Sequence, residues 1–220
     1  MSNNLKYGLI GSLGRLGSEV RNVFNEKGFK LVFGYDIEGE KFTEKPDVLI
    51  DCSLPDVFSK TISFIDRFKV PLVIATTGLN DEMITSLKEI SKDLPVVQSY
   101  NYSIGIQILL KLTEIAKEIL SGWDVEITET HHRFKKDKPS GTAKMIKEVF
   151  NDRDVNISSL RLGNVAGDHT VYFGGLGEVL SITHSATSRR TFAEGILRSA
   201  EFAVNQKNGF YSFHDVMFSK

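Results

Sequence analysis

Cysteine is all but missing from this chain: Cys52 stands alone in 220 residues, which excludes a disulfide framework and metal centres built from several thiolates. An excess of either charge is missing too. The 27 lysines and arginines are offset by 28 acids, leaving a net charge of −1, so nothing favours a nucleic-acid partner. The one basic run, Arg133 to Lys138, is too short to reverse that. No apolar segment approaches the roughly 20 residues that span a bilayer. The polar opening, Met1-Ser2-Asn3-Asn4-Leu5-Lys6, contains no signal-peptide core, and the expectation is a cytoplasmic protein with no membrane partner. Internal repeats, low-complexity tracts and long linkers are also absent. What remains, 41% hydrophobic and 25% charged, is an ordinary globular composition, long enough for one large α/β domain or two small ones.

Within the first hundred residues, short apolar runs alternate with helical patterns. Leu5 to Ile10, Phe29 to Tyr35, Val48 to Ile50, Pro71 to Ala75 and Pro95 to Val97 read as buried strands bounded by Gly, Pro, Asp or Ser. Between them, Leu16, Val20, Val23 and Phe24 mark one helical face, and Met83, Leu87 and Ile90 another. This βαβα order predicts a parallel sheet with helices on both faces. After Tyr102 the pattern changes. A long amphipathic segment, Ile104 to Leu120, precedes strand candidates at Val125 to His132, Ser159 to Gly163, Thr170 to Phe173 and Val179 to His184, which predicts an α+β unit with an open sheet. A last helix, Thr191 to Asn205, returns to the style of the first unit.

Two motifs carry chemistry. Gly11-Ser12-Leu13-Gly14-Arg15-Leu16-Gly17 lies between the first strand and the first helix, and its G-x-x-G-x-x-G spacing is a variant of the dinucleotide fingerprint G-x-G-x-x-G. Glycines there permit a tight turn and close backbone approach, and the helix N-terminus faces a pyrophosphate. Asp36, nineteen residues beyond Gly17, closes the second strand, where a carboxylate accepts hydrogen bonds from the adenosine ribose hydroxyls. Ile37 follows it rather than a cation. A 2′-phosphate would meet Asp36 without a compensating charge, which favours NADH over NADPH.

The second motif runs Glu129-Thr130-His131-His132-Arg133-Phe134-Lys135-Lys136-Asp137-Lys138-Pro139-Ser140-Gly141-Thr142, from a strand end through a polar loop into a helix over Ser140 to Phe150. Ser140 suits an N-cap, Gly141 lets a ligand approach the backbone, and Thr142 adds a hydroxyl. Such a terminus is an anion site. With Lys135, His132 and Arg133 upstream, the segment reads as a receptor for a small molecule bearing carboxylates, with protonatable groups beside it. Strand alternation puts Glu129 and His131 on one face and His132 on the other, unless the strand ends near His131. Glu129 is a candidate to orient His131, although an i,i+2 gap of roughly 6 to 7 Å argues against direct contact between them. No metal site is expected, since adjacent strand histidines diverge and no third ligand lies at a useful spacing. His169, His184 and His214 are isolated and read as structural; Tyr100 and Tyr102 read as core aromatics.

These motifs carry a resemblance that covers essentially the whole chain. The sequence resembles the 4-hydroxy-tetrahydrodipicolinate reductase (dihydrodipicolinate reductase) family in its glycine loop, in Ala75-Thr76-Thr77-Gly78, in Asn101-Tyr102-Ser103-Ile104-Gly105 and in the block from Glu129 to Thr142. It continues through Gly167-Asp168-His169-Thr170 and Ser188-Arg189-x-Thr191-Phe192-Ala193. The resemblance implies a Rossmann-type dinucleotide-binding domain over residues 1–102 plus 191–220. It also implies an inserted mixed-sheet domain over 103–190 that binds substrate and forms a homotetramer. The implied activity is NAD(P)H-dependent reduction of 4-hydroxy-tetrahydrodipicolinate to tetrahydrodipicolinate, on the diaminopimelate route to lysine. Cofactor contacts are implied at Gly11, Ser12, Leu13, Gly14, Arg15, Leu16, Asp36, Ala75, Thr76, Thr77, Ser99, Tyr100, Asn101 and Tyr102. Proton handling is implied at His131 and Lys135, and contact with substrate carboxylates at His132, Ser140, Gly141 and Thr142. Where the family usually has glycine, this chain has Ala75, a methyl group nearer the nicotinamide. Two rival classes remain: another Rossmann-type dehydrogenase of amino or keto acids, and a non-catalytic NAD-binding sensor, against which the pair His131 and Lys135 argues.

Overall fold

The computed structural model describes residues 4–219. They form two compact units, one of residues up to Tyr102 together with those from Arg190 onward, the other of Ser103–Arg189. The chain begins with β1 (Lys6–Ile10), α1 (Arg15–Glu26), β2 (Lys30–Asp36), β3 (Gly39–Phe42), β4 (Val48–Asp51), α2 (Phe58–Phe68), β5 (Leu72–Ile74), α3 (Asp81–Ile90) and β6 (Pro95–Gln98). The second unit supplies α4 (Ile104–Ile119), β7 (Asp124–His131), α5 (Gly141–Glu148), β8 (Asn156–Arg161), β9 (Asp168–Gly174) and β10 (Val179–Ser185). Last come α6 (Arg190–Ala203), β11 (Gly209–Tyr211) and α7 (Phe213–Phe218).

In the first unit the strand order is β11-β6-β5-β4-β1-β2-β3. All neighbours are parallel except the antiparallel β2–β3 pair. Every residue of β4, β5 and β6 is buried, as the continuous apolar runs predict for a sheet covered on both faces. Each aliphatic side chain so enclosed contributes about 1.5–3 kcal/mol. On α1 the predicted stripe delivers Val20, Val23 and Phe24 to the core. Helix α6 presents small residues instead: a Cβ on Gly195 would lie 1.8 Å from the Tyr102 carbonyl oxygen, so only glycine admits that backbone.

Four elements of this unit were not foreseen. Edge strand β3, Gly-Glu-Lys-Phe, is mostly exposed and has no apolar run to betray it. Strand β11 has three residues and exists through its pairing with β6, Phe210 opposite Val96. Helix α7 is held by a capping box between Ser212 and Asp215. Helix α2 buries Phe58, Thr61, Phe64, Ile65 and Phe68, and Phe64 and Phe68 meet Phe33 of β2 edge-on at 4.8 and 5.0 Å.

The second unit has a four-stranded sheet in the order β10-β9-β7-β8. It is mixed: β7 and β8 are parallel, and the other neighbours antiparallel. On one face, Ile106, Leu109 and Leu110 of α4 and Ala143 and Ile146 of α5 enclose Ile127, Val171 and Phe173. The opposite face is lined with hydroxyls, Thr170 and Thr183 being 3.1 Å apart.

Candidate active site

In the first unit, every cofactor candidate leaves the carboxyl edge of the parallel sheet. Gly11 to Leu16 follow β1, Asp36 ends β2, Ala75 to Thr77 follow β5, and Ser99 to Tyr102 follow β6. The connection order reverses between β1 and β4, where such sheets bind nucleotides. Gly11 has φ +79°, and a Cβ there would stand 2.7 Å from the Cys52 carbonyl oxygen; one on Gly17 would stand 2.1 Å from the Gly11 carbonyl oxygen. The first glycine therefore makes the turn and the third lets the helix press on it. Helix α1 opens at Gly14 with no side-chain cap and no acid in its first turn, while Leu13, Gly14 and Arg15 are exposed. An uncapped helix start beside the exposed Arg15 fits a pyrophosphate. Asp36 accepts the Leu13 N–H at 2.7 Å on one oxygen and the Ile37 N–H at 2.8 Å on the other, which leaves lone pairs for ribose hydroxyls. Behind this edge, the fully buried Asp51 accepts the hydroxyls of Thr61 and Thr76, each at 2.8 Å, and the backbone N–H of Ser53. That anchors Thr76 from below.

The second unit gathers the other motif. Strand β7 ends at His131, so His132 leaves the sheet. Glu129 is completely buried and accepts the Arg161 guanidinium on both oxygens, at 2.8 and 2.7 Å. It also accepts the Ser140 backbone N–H at 3.3 Å and a hydrogen bond from His131 Nδ1. Glu129 thus meets His131 directly, as an orienting residue would, because the glutamate's flexible arm spans the i,i+2 gap that Cα spacing alone leaves open. Burial pushes the Glu129 carboxyl up, but hydrogen bonds from Arg161, Ser159 and His131 override it and bring it down to about 2. For His131, burial lowers the imidazole's affinity for a proton, Glu129 restores part of it, and the charges of Lys135 and Arg161 lower it again, so the net direction is down. His131 is therefore neutral at pH 7. An ionised carboxylate only accepts, so Nδ1 carries the proton and Nε2 is bare.

Ser140 caps α5 by accepting the Ala143 N–H at 3.2 Å, and its hydroxyl lies 3.3 Å from Nε2 of His169. The His169 ring stands edge-on to His131 at 5.2 Å, and burial, aided by the neighbouring His131, pushes it down to about 3. No acid occupies the first turn of α5, where Gly141 and Thr142 sit. These features suit an anion.

Among the predicted residues, His131 and Ser140 are joined through Glu129, with Gly141 and Thr142 on the adjoining turn. His132 is half-buried and its ring lies 6.3 Å from Phe134. Lys135 is paired with Asp137 at 2.8 Å, a contact that the motif reading did not foresee. Lys136 and Lys138 are exposed. Thr76, Ser99 and Asn101 are buried, whereas Tyr100 is exposed. The Tyr102 ring is buried, and its hydroxyl lies 2.9 and 3.2 Å from the carbonyl oxygens of Ile74 and Val97, between which its one proton is shared. Arg161 was missed, because its only signal is the β7–β8 register that sets it opposite His131. His169 was read as structural, although its Gly-Asp-His-Thr context was noticed.

Comparison with known proteins shows the family to which the chain belongs. The family model described as dihydrodipicolinate reductase, N-terminus, matches residues 5–102, and the one described as dihydrodipicolinate reductase, C-terminus, matches residues 105–217. The 4-hydroxy-tetrahydrodipicolinate reductase of Thermosipho africanus is 45% identical over 213 residues, 97% of this chain and 98% of that one. That of Caldanaerobacter subterraneus subsp. tengcongensis is 34% identical over 240 residues, covering 94% and 96%. Among solved structures, a dipicolinate-bound dihydrodipicolinate reductase from Paenisporosarcina sp. TG-14 superposes with a TM-score of 0.76 at 23% identity, covering 94% of this chain and 97% of that one. At that identity the superposition speaks for the fold.

Proposed function

Because this chain belongs to the dihydrodipicolinate reductase family, we infer that it is an NAD(P)H-dependent oxidoreductase that reduces 4-hydroxy-tetrahydrodipicolinate to tetrahydrodipicolinate, in the diaminopimelate route to lysine. The observation that carries the reading is the neutral His131, held by Glu129 beside the α5 start at Ser140-Gly141-Thr142. A proton-exchanging atom next to an anion cradle is what the reduction of a dicarboxylate imine requires of a protein.

When bound, the reduced nicotinamide supplies the hydride. Residues of the first unit hold it: the glycine loop takes the pyrophosphate, Asp36 the ribose, and the segments Ala75 to Thr77 and Ser99 to Asn101 the nicotinamide end. With no cation following Asp36, NADH is preferred and NADPH is the poorer donor. In the second unit, the Gly141 and Thr142 amides, the Ser140 and Thr142 hydroxyls and His132 bind the two carboxylates. After loss of the 4-hydroxyl as water, reduction at C4 leaves an enamine that must be protonated at C3. His131 and Lys135 jointly deliver that proton, the lysine also countering negative charge on the substrate. The protein acts in the cytoplasm as a homotetramer. That assembly is supported by exposed apolar side chains on the second unit, among them Leu160, Tyr172 and Val179 of its sheet and Leu112 and Ile119 of α4.

The test is a coupled assay that generates the unstable substrate in place and follows NADH and NADPH oxidation separately. Oxidation that depends on the substrate is expected, faster with NADH. Oxidation with a keto acid, or NAD+ reduction with aspartate, and no turnover of 4-hydroxy-tetrahydrodipicolinate would move the chain to another dehydrogenase class.

A further inference from the structure

We propose that Glu129 and Arg161 are positioning residues for the reduction: they lock His131 in the tautomer with its proton on Nδ1, so that the bare Nε2 is presented over Gly167 as the atom that exchanges protons. This rests on the reading of His131 as a proton-handling residue. Glu129 Oε1 accepts from Arg161 Nη2 and from the Ser140 amide, while Oε2 accepts from Arg161 Nη1 and from His131 Nδ1. These donors, on both oxygens, hold the carboxylate against rotation. The fork itself is fixed, since Arg161 also donates to the carbonyls of Leu160 at 2.7 Å and Asp137 at 2.6 Å. A planar guanidinium satisfies all of these at once, which an ammonium cannot.

The ring's other edge is kept open by Gly167. A Cβ there would stand 3.0 Å from His131 Nε2 and 3.3 Å from Cδ2, so any larger side chain would cover the reacting nitrogen. The charged and titratable groups facing His131 are Glu129 on its own strand, Arg161 on β8, His169 on β9 and Lys135, paired with Asp137, on the following loop. Of these only Glu129 stabilises the imidazolium. Nε2 first takes a proton from the Lys135 ammonium or from water, giving an imidazolium that Glu129 stabilises; when that proton passes to the enamine carbon, the N–H bond breaks, a new C–H bond forms, and the ring returns to the neutral tautomer the clamp dictates.

The experiment uses the full chain with 15N-labelled histidine. In substrate-free protein, NMR is expected to find His131 protonated at Nδ1 and bare at Nε2; the Nε2–H tautomer would overturn the proposal. Glu129→Gln keeps the shape and removes the charge. It is expected to lower kcat about 10²-fold, the scale of a lost acid–base contribution, to leave KM for the substrate within about twofold, and to move the His131 inflection of the pH–rate profile to lower pH. Arg161→Lys is expected to lower kcat by about tenfold, since one of two fork bonds survives, without the downward shift of the inflection, because the positive charge that opposes the imidazolium is kept. A loss of rate that merely follows the folded fraction in both variants, with the inflection unmoved in Glu129→Gln, would make the pair structural and sink the idea. The tautomer is read without substrate: the Nδ1–H form in a chain inactive on 4-hydroxy-tetrahydrodipicolinate would support the clamp while failing the assigned reaction.

Discussion

Alanine at position 17 should loosen the nucleotide loop and leave the His131 cluster intact. The Cβ of Gly17→Ala would lie 2.1 Å from the Gly11 carbonyl oxygen, 3.0 Å from the Gly11 carbonyl carbon and 3.1 Å from Ser12 Cα, where ordinary contact begins at 3.4 Å. All three atoms are backbone, so no rotamer change relieves the overlap; α1 and the loop must separate by about 1 Å. Overpacking of this kind costs about 1–3 kcal/mol or more, against which alanine's helix propensity returns up to about 1 kcal/mol. A net loss of about 2 kcal/mol corresponds to a Tm lower by about 4–8 °C in a chain of this length. Moving the first-turn amides also breaks at least one charge-assisted hydrogen bond to the pyrophosphate, about 1.5–3 kcal/mol, or about 10- to 100-fold in the Kd for NADH. Thermal melting and NADH fluorescence titration measure both. Gly34→Ala is the control, since its Cβ would meet only Ser12 Oγ, at 3.6 Å. A Gly17→Ala protein with unchanged Tm and unchanged NADH affinity would refute the assignment of this loop.

Four further outcomes are expected. His131→Ala and Lys135→Ala should each lower kcat by about 10² or more; steady-state kinetics with full turnover in both would remove them from proton transfer. Thr142→Val should chiefly raise KM for the dicarboxylate, and a pure kcat effect would contradict an anchoring role. Asp51→Asn deprives buried hydroxyls of a charged acceptor, and should cost about 2 kcal/mol in denaturant unfolding while weakening NADH binding through Thr76. Stability should also fall with acid in two stages. His169, held near 3 in the folded chain against 6.5 ordinarily, refuses a proton that the unfolded chain accepts, so stability declines as pH drops from 6.5 toward 3. Glu129, held near 2 against 4.5, contributes stability that is complete above 4.5 and is lost as pH falls toward 2. Urea midpoints should therefore drop from pH 7 to 5 and more steeply below 4.5, with His169→Gln flattening the first stage. A midpoint that is flat down to pH 5 would contradict the burial of a neutral His169.

Local order determined a great deal. The continuous apolar runs of β1, β4, β5 and β6 specify buried parallel strands, because only a sheet covered on both faces hides every residue. The glycine loop, Asp36 and the Ser140-Gly141-Thr142 helix start were legible because their chemistry lies in neighbouring residues, in turns and caps that the chain makes with itself. The long range was not legible. Strands β3 and β11 are too short or too polar to announce themselves and are stabilised by the partner strands they meet. Tyr102 looks like any aromatic beside a ligand motif until the carbonyls of Ile74 and Val97 claim its hydroxyl.

The same division runs through the candidate site. Sequence alone specified that His131 stands at a strand end, close to a helix N-terminus and a lysine. It did not specify the state of that imidazole. Tautomer and charge are decided by a carboxylate two residues back on the same strand, by a guanidinium and a second imidazole that arrive from two other strands, and by the burial of the carboxylate and both rings. Strand register put Arg161 opposite His131, and no spacing along the chain encodes a register, since pairing is chosen by the packing of whole faces.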